Sequence, residues 1–384
     1  MTLPSKVPGV YREDVYVRPV PPLPTGVPGF VGLANTAGGP LLLHRAEDLA
    51  ASFTPAAGSY LADAVAGFFA NGGVRCYVVG AAANGDREAA LKDALEQLGP
   101  LADLDLVAVP DALTLPDKDA ARRVQSAAIA HCSRHGDRFA ILDAPGGIDP
   151  SDPATDVVQA LRTWRLALTA GEAQPANAAL YYPWVKVPAA DTAGGRPVPP
   201  CGHVAGIFAR SDARVGVFKA PANEELIGVF DLEFLIDGGL QEGLNPEGIN
   251  CLRALPGRGL RVWGARTLSA DANWLYINVR RLFLTLVRWI DRNMGWAAFE
   301  ANTVRLWNRI RRELDAYLGQ LWQAGGLKGA SAAEAFYVKC DSETNPPDER
   351  EQGRVITEIG LAPAKPAEFV VVRITHRAGA AQLA

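Results

Sequence analysis

The sequence predicts a mixed α/β (α+β) fold: a middle α/β domain, a carboxyl-terminal α+β domain, and extended β arms at both ends. Three observations predict it. Strand-like apolar runs alternate with helix-length amphipathic stretches through the first half of the chain. Two long amphipathic helices, followed by short β-rich runs, fill the last third. A β-rich segment joined to the body by a proline-bearing spacer stands at each end. With 384 residues the chain exceeds one ordinary core and suits about two domains.

The first arm covers residues 1–25. Between residues 10 and 17, Val10, Tyr11, Val15, Tyr16 and Val17 are interleaved with Arg12, Glu13 and Asp14, a composition that favours extended backbone. Pro19, Pro21, Pro22, Pro24 and Pro28 then favour polyproline II. At about 3.1 Å per residue that spacer can hold the strand roughly 30 Å from the globular fold. The strand therefore needs a partner, and that partner can lie on another chain.

Residues 26–223 read as the α/β domain. "GFVGLA" is a buried strand, and Leu61, Val65, Phe68 and Phe69 share one helical face that ends at Gly72. A strand at residues 74–81 follows, then a helix over 87–98, the strand "LDLVAVP", a helix over 118–135, the strand "RFAILDAP", a helix over 154–169 and the strand "ALYYPWVKV". This alternation predicts a largely parallel sheet.

From residue 224 to 366 the texture changes. Glycines among short apolar runs at 228–264 predict turns and short strands. Leu282, Leu286, Trp289 and Ile290 mark one long helix, and Val304, Trp307, Ile310, Leu314, Tyr317 and Leu321 a second, closed by Gly325 and Gly326. Both are expected to pack on a sheet drawn from "EAFYVKCD", "RVITEIGLA" and "EFVVVRITHR". The last belongs to the second arm, residues 367–384, whose strand is Phe369, Val370, Val371, Val372, Arg373 and Ile374. An unpaired strand of this composition invites aggregation, so it is expected to be paired, either in the chain's own sheet or across chains by β-augmentation.

Composition narrows the function. Hydrophobic residues make up 48% and charged residues 21%, as in folded soluble proteins. A formal charge of −4 gives no global attraction to phosphate backbones, so nucleic acid is not expected as a partner. "MTLPSKVPGVYRED" has no apolar signal core, and no run reaches the roughly 18 apolar residues of a spanning helix, so synthesis in the cytoplasm without membrane insertion is expected. The five cysteines, Cys76, Cys132, Cys201, Cys251 and Cys340, are scattered and form no CxxC, which predicts buried thiols.

No P-loop, GxSxG elbow or HExxH occurs. "GFVGLANTAGG" lacks the GxGxxG spacing that seats a pyrophosphate. "FAILDAPGG" puts Asp143 at a strand's carboxyl end, where α/β folds place reacting groups, yet Asp-Ala-Pro-Gly-Gly also reads as a turn. "HCSRH" sets His131 and His135 one helical turn apart beside Cys132, without the further ligands a metal needs. No catalytic, cofactor or metal site is therefore expected. Between residues 280 and 312 eight arginines face only Asp291 and Glu300, either as solvated helix faces or as a basic surface for an acidic protein.

Six stretches carry a family resemblance: "PGVYREDV" (8–15), "AGIFARSDARVGVFKAPANE" (205–224), and residues 263–283, 299–311, 325–347 and 358–374. In order, they resemble the contractile tail sheath proteins of bacteriophages, R-type pyocins and extracellular contractile injection systems. The resemblance implies a non-enzymatic subunit without cofactor that stacks as hexameric rings around an inner tube and contracts to drive that tube through an envelope. It implies that Val10, Tyr11, Val15, Tyr16 and Val17, and the strand from Phe369 to Ile374, complete a β-sheet between subunits. It places the carboxyl-terminal domain against the tube, where Arg305, Arg309, Arg312 and Lys328 become expected tube contacts. The implied partners are further copies of the chain, the inner tube protein, and baseplate and tail terminator or cap proteins. Assembly would take place in the bacterial cytoplasm, yielding a virion tail or a released injection particle. The other reading is an α/β enzyme or ligand-binding protein with a site assembled from distant residues, which predicts a pocket at the carboxyl ends of the strands.

Overall fold

The computed structural model describes residues 23–171, 174–189 and 192–368. Both predicted arm strands, at 10–17 and 369–374, lie outside the described residues.

The fold is built on β1 (Pro28–Ala34), buried along its whole length. β2 (Gly38–Leu43) is followed by the short α1 (Glu47–Ser52) and by α2 (Leu61–Ala70). The alternation then runs β3 (Cys76–Ala82), α3 (Arg87–Glu96), β4 (Leu106–Ala108), α4 (Lys118–His135), β5 (Phe139–Asp143), α5 (Val157–Leu168) and β6 (Ala178–Tyr182). Aspartates start the helices on one side: Asp86, Asp117 and Asp156 each accept a first-turn amide, of Ala89, Ala120 and Gln159. Gly136, at φ 68°, closes α4 in the left-handed conformation that glycine adopts without penalty.

"ALYYPWVKV" is two strands rather than the single one expected. Pro183 has no amide to donate to a ladder, and the chain leaves the large sheet there. β7 (Val185–Ala189) pairs instead with β8 (Thr192–Val198) in a separate small sheet. α6 (Cys201–Arg214), β9 (Glu224–Glu225), β10 (Asp231–Leu232), α7 (Gly238–Leu244), β11 (Ile249–Leu255) and β12 (Gly259–Trp263) follow.

The large sheet has the order β2-β3-β1-β4-β5-β6-β11-β12-β9. Its interior strands from β3 to β11 are parallel, while antiparallel pairings form the margins, β2 with β3 at one and β12 with β11 and β9 at the other. The glycine-rich stretch from 228 to 264 thus extends the main sheet through β11 and β12, and the sheet is continuous across residue 223. One face is covered by α3, α4, α5 and α7 over Val31, Val107, Leu142 and Leu180. The other is covered by α2 and α6 over Phe30, Ile141 and Tyr181.

The last third contains α8 (Ile277–Asn293), α9 (Val304–Gln323), α10 (Ala332–Ala335), β13 (Phe336–Lys339), α11 (Pro347–Glu351) and β14 (Glu358–Leu361). α8 is buried on more than one side. Ile277 and Leu284 enter the core beneath the large sheet, Leu282 meets Leu327 and Ala335, and Trp289 and Ile290 meet Leu306, Trp307 and Ile310. Trp289 also stacks on Tyr317 of α9 at 4.2 Å. α8 is therefore the beam between the sheet and the carboxyl-terminal helices. Of the predicted second sheet, β13 and β14 form an antiparallel pair, with α9 packed on β13.

Candidate assembly interfaces

The described chain enters the fold at a buried charge cluster. Asp105, just before β4, accepts the backbone amides of Gly26 at 3.1 Å and Val27 at 2.7 Å. Arg281 of α8 donates to Asp105 at 3.0 Å and to both oxygens of Asp212 on α6 at 2.9 and 2.6 Å. Its guanidinium also lies over the Phe208 ring. Burial pushes the Asp212 carboxyl up, the adjacent Arg281 pulls it back down, and the paired carboxylates hold Arg281 protonated. Arg288, two turns further along α8 and also buried, donates to the Asp103 carbonyl. Three elements, the segment before β4, α6 and α8, are thus locked around the root of the amino-terminal segment.

The chain leaves through a second clamp. Arg266 holds the Glu368 carboxylate bidentately at 3.0 and 2.6 Å, and Tyr276 donates to it at 3.3 Å. The preceding residues are fixed by backbone bonds from Lys328 to Ala362 and from Ala364 to Gly326, and by Asn278, which donates to the Ala364 carbonyl. A groove of about 820 Å³ opens beside this exit, lined by Arg253, Trp263, Arg266 and Glu368 among others.

A separate two-stranded sheet is formed by the β13–β14 ribbon. Val338 and Ile359 face the α9 cluster, whereas Tyr337 is half-exposed and donates to Glu358 across the pair. Among the described residues no third strand pairs with either edge.

All four predicted tube-contact residues are on the surface. Arg305, Arg309 and Arg312 point outward from α9, and Lys328 lies in the turn after it. Arg309 alone of the four forms an ion pair among the described residues, with Glu313 at 3.3 Å, and its guanidinium covers the Trp296 ring. The arginine-rich stretch therefore divides in two. Arg281 and Arg288 are buried structural cations, Arg280 is tied to Asn177, and Arg292, Arg305, Arg309, Arg311 and Arg312 are exposed.

Comparison with known proteins decides the family. Residues 80–268 match the phage tail sheath protein central domain, and residues 269–377 the phage tail sheath C-terminal domain. The chain is a member of the phage tail sheath family. It is similar to the helical sheath of the anti-feeding prophage in its contracted state, with 33% identity, a TM-score of 0.74, and coverage of 97% of this chain and 99% of that one. It is also similar to the PVC sheath complex of an extracellular contractile injection system in its contracted state, at 28% identity and a TM-score of 0.74, covering 97% and 98%. A prophage major tail sheath protein of Pseudomonas aeruginosa (strain UCBPP-PA14) shares 27% identity over 48% of each chain. The Vibrio phage KVP40 tail sheath protein shares 28% over 46% of this chain and 26% of its own length. The match thus spans about half of the first of these curated relatives and about a quarter of the second. The relatives are structural sheath proteins, not enzymes.

The motifs with chemical promise have structural roles in this sheath protein. The Asp143 side chain is buried, accepts the amide of Cys201 at 2.8 Å and so anchors the start of α6. Burial pushes its carboxyl up to about 7. His131 is buried rather than on a surface face, and its Nε2 lies 3.2 Å from Arg138, whose positive charge together with burial pushes the imidazole down to about 4. Cys132 packs in the core as a small apolar group. Among the described residues no cluster of three His, Cys, Asp or Glu side chains could hold a metal, and no helix is long and apolar enough to cross a membrane. Sequence reading missed the Asp105–Arg281–Asp212 cluster, because three charges far apart in sequence carry no local pattern. It also missed Gly202 and Gly206, whose spacing lets α6 lie on the backbone of α2.

Proposed function

We propose that this chain is a subunit of a contractile tail sheath that polymerises as stacked hexameric rings around an inner tube and contracts to drive the tube through a target envelope. One observation carries the reading: β13 and β14 make a two-stranded ribbon with both outer edges unpaired among the described residues. The ribbon is steadied on one face by α9, and its two open edges present unpaired backbone donors and acceptors on which further strands can add. The sequence supplies two further strands, at 10–17 and 369–374, each on a proline-bearing tether. Donated by neighbouring subunits, they complete a four-stranded sheet by β-augmentation. Main-chain ladders of this kind survive rotation of the globular bodies, and the tethers absorb the movement. The clamps at Asp105 and Glu368 then fix where each tether leaves the body.

On this reading contraction is a one-way passage between two lattice packings that needs no nucleotide at the sheath. The inner tube protein, baseplate and cap proteins are the partners, Arg305, Arg309, Arg312 and Lys328 meet acidic tube subunits, and the particle is a virion tail or an injection system assembled in the bacterial cytoplasm. Negative-stain electron microscopy of the full chain beside chains lacking residues 1–17 or 369–384 tests it. Striated tubes from the first and small folded particles from the other two are expected. Compact particles of one size from all three would overturn it.

A further inference from the structure

The connection between α8 and α9 presents a large aromatic side chain to water. Phe299 is the most exposed of the described large hydrophobics, at 108%. Its φ is +67°, the left-handed region that residues with a Cβ seldom occupy and that persists only where the surroundings impose it. The surroundings do impose it. Trp296 donates to Glu313 at 2.9 Å before Phe299, and after it Asn302 donates to the Arg354 carbonyl and accepts from Trp307, both at 2.8 Å. The connection's other aromatic, Trp296, is tethered on one side of Phe299 and Asn302 on the other, and these tethers hold Phe299 outward as a rigid knob.

The same chain carries a socket. A depression of about 420 Å³ lies at the other end of α9, lined by Gly319, Trp322, Ala332, Ala333 and Phe336, with Asp315 and Gln323 at its margin. The glycine and the two alanines leave the space, Trp322 and Phe336 form aromatic walls, and the Trp322 indole is fixed by the Gly329 carbonyl at 3.1 Å. A cavity of roughly 150 Å³ is enough for a benzene ring. The charges agree as well. Arg311 on the same helix offsets Asp315, and Glu334 is occupied by the Ala330 amide, which leaves the exposed Lys328, next in the chain to the Gly329 that fixes Trp322, to meet Glu300 beside the knob.

We propose that Phe299 of one copy seats in the Gly319–Trp322–Phe336 socket of another. A chain cannot fill its own socket, because α9 holds Gly319 about 22 Å from Val304, where the helix begins on the knob side. A knob and a hole on different patches make a heterologous contact, which propagates from copy to copy instead of closing on a two-fold axis. The inference rests on the reading that the chain polymerises, and it names a contact that is independent of the arm strands.

The test uses full-length chains Phe299→Ala, Gly319→Phe, Glu300→Lys and the double exchange Glu300→Lys with Lys328→Glu. A Cβ at Gly319 meets nothing within 4 Å, so the phenylalanine plugs the socket without disturbing the fold, and unchanged melting temperatures check this. Sedimentation and electron microscopy are expected to show that Phe299→Ala and Gly319→Phe each raise the assembly concentration about tenfold or more, as for a central aromatic anchor. Glu300→Lys is expected to weaken assembly and the double exchange to restore it. Tubes from the wild type and from Phe299→Ala and Gly319→Phe at the same concentration would overturn the contact alone. Failure of the wild type to form tubes would overturn the sheath reading and this contact together.

Discussion

Arg281 and Asp105, 176 positions apart, meet at 3.0 Å inside the protein, and the same carboxylate receives the amides of Gly26 and Val27. One buried ion pair therefore joins the beam helix of the carboxyl-terminal third to the point where the amino-terminal segment enters. Whatever pulls on that segment pulls on α8.

Arg281→Met removes the cation from two buried carboxylates at once. Breaking one side of a buried pair typically costs about 3–5 kcal/mol, because the remaining charge has lost its counter-ion. Urea unfolding is expected to show a loss of that order. A combined change of Asp105→Asn, Asp212→Asn and Arg281→Met is expected to regain part of it, since no uncompensated charge is left behind. A single variant as stable as the wild type would show that water reaches the cluster.

Gly206 and Gly202 of α6 lie against α2 so closely that a Cβ on Gly206 would stand 2.4 Å from the Phe68 carbonyl oxygen, and one on Gly202 2.2 Å from that of Ala64. The atoms in the way are backbone, which cannot swing aside. Gly206→Ala is expected to destabilise the sheet domain by about 1–3 kcal/mol, the usual cost of overpacking, although alanine is the better helix former. Thermal unfolding checks the sign, since helix propensity alone predicts a gain.

Stability is expected to vary with pH through buried groups of opposite sign. His131 and His203 are held neutral by burial, with pKa values lowered to about 4, so their contribution is complete above pH 6.5 and is lost as the pH falls toward 4. Asp143, raised to about 7, does the reverse: its contribution is complete below pH 3.8 and is lost as the pH rises through 7. Each group contributes a slope of up to about 1.4 kcal/mol per pH unit, so the two histidines outweigh the aspartate between pH 4 and 6.5. Asp143→Asn removes the opposing slope. Denaturation at pH 4.5 and 6.5 is expected to show a steeper rise in stability for that variant than for the wild type.

Much of this architecture is legible in the sequence because local chemistry enforces it. α4 runs over residues 118–135 as expected: Asp117 caps its start, Gly136 ends it, and apolar residues repeat at helical spacing between them. The stripes of α8 and α9 are legible for the same reason. The split at Pro183 was missed because a strand's period continues through a residue that cannot join the ladder. β11 and β12 were expected as short strands, but their place in the main sheet depends on β6, about 70 residues earlier, as the Asn250–Leu180 bond shows. Phe299 carried no signal, since only the backbone around it reveals that a loop phenylalanine is held outward.

The exposed cations of α9 should be separable by their surroundings. Arg305 and Arg312 stand in solvent, whereas Arg309 already spends part of its charge on Glu313 and its flat face on Trp296. If these residues hold an acidic tube, reversal to glutamate at Arg305 or Arg312 is expected to weaken binding to the tube protein more than reversal at Arg309. Each exposed charge pair is worth about 0.2–1 kcal/mol, so single reversals should lower affinity only a few-fold, and raised salt should shrink the difference as screening grows. Lys328 is exposed in the turn after the helix, next in the chain to the Gly329 that fixes Trp322 of the socket, and is expected to affect assembly of the sheath itself as well as tube attachment. Co-sedimentation of each variant with preformed tubes, at low and at physiological salt, provides the measurement. Binding by the Arg305, Arg309 and Arg312 reversals that equals wild-type binding at both salt concentrations would remove α9 from the tube interface and leave its arginines as a solvated face.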